Sequence, residues 1–324
     1  MSERSETPNI MYMGTPEFAV PALDVLHGSN LGSVFVVTRP DRPRGRGHRL
    51  APSPVKTRAG ELGLPVFEPE SLRIGEEWKT ILAQTRPDLI VVCAYGKILP
   101  KGTLETPRFG CINIHASLLP KYRGAAPIHR AVESGDGRSG VSLMYMSEGM
   151  DEGDVIASRA VSIEGMSSGE VTEVLAKLGA DMLSDELPAV MNGAARREPQ
   201  DDAEATYAPP VRREEGRIDF SRTPFEIERK VLAMTPSPGA YAFLGGEKIK
   251  LWEVRASECA AHALSKRGVA RPGEVVRTDG GVIEVAAGLS GAVEIMKIQS
   301  PGGKPMAAAD WLRGHSVERG AMFE

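Results

Sequence analysis

Five short apolar runs recur through the first 115 residues: Asn9–Met13 (NIMYM), Val34–Thr38 (VFVVT), Leu64–Phe67 (LPVF), Leu89–Ala94 (LIVVCA) and Cys111–His115 (CINIH). Helical patterns lie between them, one ending near Leu26 and others over Ser53–Leu62 and Trp78–Thr85. A run that is apolar at nearly every position suits a strand covered on both faces. Strands of that kind, joined by crossover helices, build a parallel sheet. The pattern therefore predicts an α/β domain with an open, doubly wound, mostly parallel sheet. Such sheets bind ligands at the carboxyl ends of their strands, which here are Gly14, Ala94-Tyr95-Gly96 and Asn113–His115. Gly14-Thr15-Pro16-Glu17-Phe18 is neither a dinucleotide fingerprint nor a phosphate-cradling P-loop, and reads as a strand-to-helix turn with Pro16 early in the helix.

The pattern changes near residue 190. A chain of 324 residues fits two domains better than one. Residues 192–210 are rich in Ala, Arg, Asp, Glu and Pro and read as a linker between a domain at 1–191 and another at 211–324. Beyond the linker, Phe225–Met234 has the spacing of an amphipathic helix. Short strand-like pieces follow at Ala240–Phe243, Lys248–Val254, Gly273–Arg277, Val282–Ala286 and Val293–Ile298, divided by Gly-rich turns, and a last helix at Ala307–Leu312. That spacing predicts a small C-terminal β-barrel of OB-like type.

The net charge of −4 argues against coating nucleic acid by bulk charge, though not against a local basic patch. Cys93, Cys111 and Cys259 show no C-x-x-C spacing, as expected of reduced thiols in a cytoplasmic protein. Cys93 and Cys111 lie in apolar runs and read as buried structural thiols. Met1–Pro8 has no apolar core, so no secretory leader is expected, and no apolar stretch has the length of a membrane span.

The chemistry concentrates between residues 111 and 154. Asn113 and His115 are two apart on a strand and share a face. An amide donor beside an imidazole suits chemistry at a carbonyl: the one stabilises a developing oxyanion, the other moves a proton. The plainer reading is a polar pair closing a strand end. In Gly149-Met150-Asp151-Glu152-Gly153-Asp154, glycines flank Asp151 and permit a tight turn. Asp151 reads either as a turn residue or as the carboxylate that orients His115, with Asp154 the competing acid. No nucleophile elbow is present, so direct transfer between two bound substrates is favoured over a covalent intermediate. No His pair or Cys/His cluster has ligand spacing, and no metal is expected. Arg39–Arg49 carries five arginines in eleven residues. Its Gly and Pro predict a non-helical excursion. It is either a solvated loop or, through Arg42, Arg44 and Arg46, a grip on an anionic substrate.

Together these segments resemble the methionyl-tRNA formyltransferases over nearly the whole chain, from Met11 to about Leu312. The resemblance rests on Gly14–Phe18, Pro40-Asp41-Arg42-Pro43 with Gly45-Arg46-Gly47, Pro52-Ser53-Pro54-Val55-Lys56, Ala94-Tyr95-Gly96, Cys111–His115, Ser117–Pro120, Arg123–Ile128 and Gly149–Asp154. Ala116 stands where that family often has Gly. The resemblance implies a catalytic set of Asn113, His115 and Asp151. It implies a folate-contacting signature at Ser117, Leu118, Leu119 and Pro120, with 10-formyltetrahydrofolate as formyl donor. It further implies that the Arg39–Arg49 loop and the barrel meet methionyl initiator tRNA, in a monomeric enzyme without a metal. Two rivals stay in view: a formyltransferase for a small amine, which would not need the arginine loop, and a tRNA-binding protein without catalysis, against which the intact Asn–His–Asp set argues.

Overall fold

The computed structural model describes residues 7–44, 49–73, 76–257 and 270–324, with the backbone alone described at 42–44 and 49. The chain opens with β1 (Asn9–Gly14), α1 (Val20–Gly28), β2 (Ser33–Val37), β3 (Arg42–Arg44), β4 (Arg49–Ala51), α2 (Pro54–Glu61), β5 (Val66–Phe67), α3 (Glu76–Thr85) and β6 (Leu89–Cys93). It continues through α4 (Lys101–Leu104), β7 (Cys111–His115), β8 (Arg123–Gly124), α5 (Pro127–Ser134), β9 (Arg138–Tyr145), β10 (Val155–Ser162), α6 (Ser168–Met191) and β11 (Tyr207–Ala208).

Seven strands form one sheet in the order β10-β9-β7-β6-β1-β2-β5. The five from β7 to β5 run parallel, β9 is added antiparallel to β7, and β10 pairs antiparallel with β9. Strand β6 is buried at every position, as is β1 after its first residue, which explains their unbroken apolar sequence. Local signals fix the helix starts: Ser53 caps α2 by accepting from Lys56 N at 3.0 Å, with Pro54 at the first helical position.

Two expectations need correction. The arginine stretch is not irregular throughout: β3 and β4 pair antiparallel, with Arg42 opposite Ala51 and Arg44 opposite Arg49. Proline at position 43 is compatible with a two-stranded ribbon because both of its strands are edges. Nor do residues 192–210 form a free tether. Glu198 bridges Val155, β11 pairs parallel with β8, and Ala125 N and Ala126 N both donate to Ala208 O.

By its internal contacts the chain divides into two units. The first comprises 1–127, 138–162 and 172–209, and so includes the segment read as a linker. The second comprises 128–137, 163–171 and 210–324. It holds α7 (Pro224–Met234), opened by a capping box between Thr223 and Glu226. Its strands are β12 (Ala240–Leu244), β13 (Glu247–Ser257), β14 (Val275–Arg277), β15 (Ile283–Ala287), β16 (Gly291–Gln299) and β17 (Met306–Ala307). They form an antiparallel sheet in the order β12-β13-β16-β15-β14, with β17 on β16. The tail joins its two edges: Phe243 and Glu324 exchange both backbone hydrogen bonds, while Phe323 N donates to Gly273 O and Val275 N to Ala321 O. Phe323 is buried against Phe220.

Candidate active site

Strand β7 lies between parallel β6 and antiparallel β9, and its last residues deliver the site. Asn113 is half-buried, and His115, on the same face of the strand, is 6% exposed. The loop after β9 brings Asp151 to both. Its Oδ1 lies 3.4 Å from Asn113 Nδ2, and its Oδ2 lies 3.6 Å from His115 Nδ1 and accepts from Gly124 N at 2.9 Å. His115 Nε2 faces the Tyr122 carbonyl at 3.0 Å. A carbonyl only accepts, so Nε2 is the donor there, and Nδ1, on the other side of the ring, faces the Asp151 carboxylate. Asn113 has two N–H groups, and Asp151 takes at most one, leaving the other for a substrate oxygen.

Asp154, the alternative acid, is directed elsewhere. Its carboxylate pairs with Arg197 at 3.8 Å, and that guanidinium lies over the Tyr145 ring at 3.6 Å. Of the two acids, Asp151 is the one that lies beside His115.

The loop pays a local conformational cost. Asp151 (φ 55°) and Tyr122 (φ 60°) both occupy the left-handed region, where non-glycine residues are uncommon and where aspartate is among the better tolerated. Gly153 is required by close approach: a Cβ there would stand 2.0 Å from the Tyr145 carbonyl oxygen. Gly124, at φ 122°, would set one 2.7 Å from Ala208 O.

The segment Ser117–Pro120 follows His115 directly. Ser117 is fully buried, and its hydroxyl donates to Lys121 O at 2.6 Å. Ser142 donates to Ser117 O at 2.9 Å and accepts from Leu119 N at 3.1 Å. Ser117 therefore acts as an internal tie, and Leu118, Leu119 and Pro120, each half-buried, present the exposed surface of this segment. Arg42 and Arg44 sit on the β3–β4 ribbon, and Arg46 lies outside the described residues. Among the described residues no group of three or more His, Cys, Asp and Glu is placed to hold a metal ion, and no helix is long and apolar enough to cross a membrane.

Several residues at the site carried no legible role in the sequence. Gln200 donates from Nε2 to Asp151 O and Gly153 O, at 2.9 and 2.8 Å. Arg123 donates to Gln200 Oε1 and Asp202. Thr206 Oγ1 accepts from Tyr122 N at 2.8 Å. Only their positions in the fold mark them, since a polar stretch of this composition looks like solvated loop.

A strand end that gathers an amide, an imidazole and a carboxylate has the groups that chemistry at a carbonyl carbon uses, a donor for an oxyanion and a proton carrier. Residues 9–187 match the family model described as Formyl transferase, and residues 210–316 that described as Formyl transferase, C-terminal domain. The methionyl-tRNA formyltransferase of Bacillus subtilis (strain 168) is 42% identical over 312 residues, 96% of each chain. That of Halorhodospira halophila is 43% identical over 312 residues, 96% of this chain and 97% of that one. The chain belongs to the methionyl-tRNA formyltransferase family. Its fold recurs in WlaRD, a sugar 3N-formyl transferase, with TM-score 0.64 at 14% identity over 93% of this chain and all of that one. It recurs also in HypX from Aquifex aeolicus in complex with tetrahydrofolic acid, with TM-score 0.62 at 18% identity over 95% of this chain, which spans about half (47%) of that protein.

Proposed function

We propose that this protein transfers the formyl group of 10-formyltetrahydrofolate to the amino group of methionyl initiator tRNA. One observation carries the chemistry: a half-exposed amide donor, a buried imidazole and a single carboxylate meet at the end of β7. The residues fit the donor. Asn113 keeps one N–H for a carbonyl oxygen, and half-buried Leu118, Leu119 and Pro120 beside it suit a flat, partly apolar carrier.

The folate supplies the formyl carbon. A bond forms from the substrate amine to that carbon, and the bond from carbon to the folate nitrogen breaks. Asn113 Nδ2 stabilises the charge that grows on the formyl oxygen, and the His115 ring adds to this once its Nδ1 has taken a proton. His115 carries the proton from the incoming amine toward the departing nitrogen. Asp151 holds the ring edge-on and balances its charge. Ser117 contributes the shape of the folate-contacting loop, and its neighbours the contact. Arg42, Arg44 and Arg46 reach the phosphates of the acceptor arm, and the C-terminal sheet, taken as an OB-like barrel, supports the tRNA beyond it. A monomer in the cytoplasm completes the reading, with the first unit (1–127, 138–162 and 172–209) as the catalytic part and the second as the tRNA-binding part.

The test is a formyl-transfer assay offering charged initiator tRNA, free methionine and an amino sugar in parallel. Transfer to the charged tRNA alone is expected. Transfer to the amino sugar alone would replace this reading with a small-amine enzyme.

A further inference from the structure

We infer that Gln200 is a positioning residue that sets the Asp151 carboxylate against His115 and Asn113; the inference rests on the function proposed above. Gln200 comes from the stretch before β11, 49 residues from Asp151 in sequence, and its amide is spent entirely on the site. Both Nε2 hydrogens are used, one on Asp151 O and one on Gly153 O. Its Oε1 accepts from Arg123 twice, from Nε at 3.1 Å and from the terminal nitrogen at 2.9 Å. Arg123 is in turn anchored to Asp202 at 2.8 Å. A reversed amide would set donor against guanidinium and oxygen against two carbonyls, so the surroundings admit one orientation.

The two carbonyls that Gln200 grips bracket the bend of the catalytic loop. Asp151 holds a left-handed backbone, and Gly153 is pressed onto Tyr145 O. A strained conformation persists only where its surroundings over-determine it. Side-chain contacts of Asp151 with Asn113 and His115, at 3.4 and 3.6 Å, are too long to do this. The short bonds are the backbone ones to Gln200 and the one from Gly124 N, and Gly124 follows Arg123, the residue that orients the Gln200 amide. One chain of bonds, Asp202–Arg123–Gln200–Asp151, thus fixes the carboxylate from behind.

The test compares Gln200→Leu and Gln200→Glu with the parent. Leucine keeps the bulk and loses every bond; glutamate keeps two acceptors for Arg123 but cannot donate to the carbonyls. Both are expected to lower kcat roughly 10–100-fold with KM for either substrate within about twofold, the range for misplacing a reacting group slightly. If the leucine protein does not fold, the glutamate protein carries the test. In an Asp151→Asn background, Gln200→Leu is expected to cost less than about twofold, because a residue acting through Asp151 has nothing left to position. The Gly124 amide, which donates to the Asp151 carboxylate, gives a readout independent of turnover: its resonance is expected to move and its hydrogen exchange to quicken in both variants. Full turnover in either folded variant, equal losses in the two backgrounds, or an unmoved Gly124 amide overturns the inference. Should the parent not formylate methionyl-tRNA, the functional reading falls while the Gly124 amide still decides the role of Gln200.

Discussion

Asp151 holds a backbone angle that most residues avoid, and its neighbours absorb the cost so that its carboxylate can face His115. Asp151→Asn keeps the shape and removes the charge, and is expected to lower kcat by about 10²-fold or more, as are Asn113→Ala and His115→Ala. Asp154→Asn, which only disturbs the pair with Arg197, is expected to stay within about tenfold. Turnover measured on all four folded variants checks the assignment, and a deeper loss in Asp154→Asn than in Asp151→Asn would reverse it. Cys93 and Cys111 show the opposite use of burial: desolvation pushes each thiol up to about 12. Both are expected to resist a thiol reagent in the native protein and to react after denaturation, counted by mass on the intact chain. Burial of this kind was readable from the apolar runs that hold the two cysteines, whereas the role of Gln200 was not.

The loop joining β9 to β10 depends on a residue without a side chain. Gly153→Ala would drive a Cβ into Tyr145 O, and the expected loss is about 1–3 kcal/mol of stability, read from the urea midpoint, with activity falling as Asp151 shifts. At this scale much was legible beforehand. The runs that became β6 and, after Asn9, β1 are apolar because they are covered on both faces, those that became β2 and β7 are mostly so, and the Ser53-Pro54 and Thr223-Pro224 pairs mark helix starts on their own. Strands β9 and β10 were not read, nor was α6. Strand β10 alternates along an edge and so lacks the continuous signature of its neighbours. The β3–β4 ribbon was missed for another reason: its arginines, prolines and glycines signal a loop, and the pairing is a matter of closure between residues five to nine apart. The ribbon sharpens one expectation. Replacing Arg42, Arg44 and Arg46 with alanine should leave folate binding by titration unchanged, weaken tRNA formylation, and reduce the salt slope of tRNA binding by roughly two to three. Normal formylation of tRNA by the triple variant would leave the ribbon a solvated excursion.

The second unit is tied together by charge as well as by its sheet. Arg130 donates to Glu215 at 2.7 Å and to Glu133 at 2.8 Å, and Lys230 reaches Glu133 at 2.5 Å. The Arg130 guanidinium holds the Glu215 carboxyl down to about 2, against an ordinary value of 4.5. A carboxyl depressed in the folded state contributes fully above its unfolded value and loses that contribution as the pH falls through its folded one. The window here runs from about 4.5 down to about 2. With 30% of the glutamate side chain exposed, about 1–2 kcal/mol is expected after solvent screening. Urea midpoints taken at roughly pH 7, 4 and 3 should fall less steeply for Glu215→Gln than for the parent. The same bonds constrain how such proteins can be recombined. Arg130, Glu133 and Ser168 come before residue 191 in the chain but bind Glu215, Lys230 and Thr235 O in the second unit. Gln200 and β11, which come after any cut at residue 191, serve the first. A chimaera of two relatives joined at a single point between residues 168 and 200 would therefore sever partners in both units. Only exchanges that carry residues 128–137 and 163–171 along with 210–324 keep each partner with its own, so inheritance of this architecture by domain shuffling demands five coordinated crossovers, at 127/128, 137/138, 162/163, 171/172 and 209/210, rather than one.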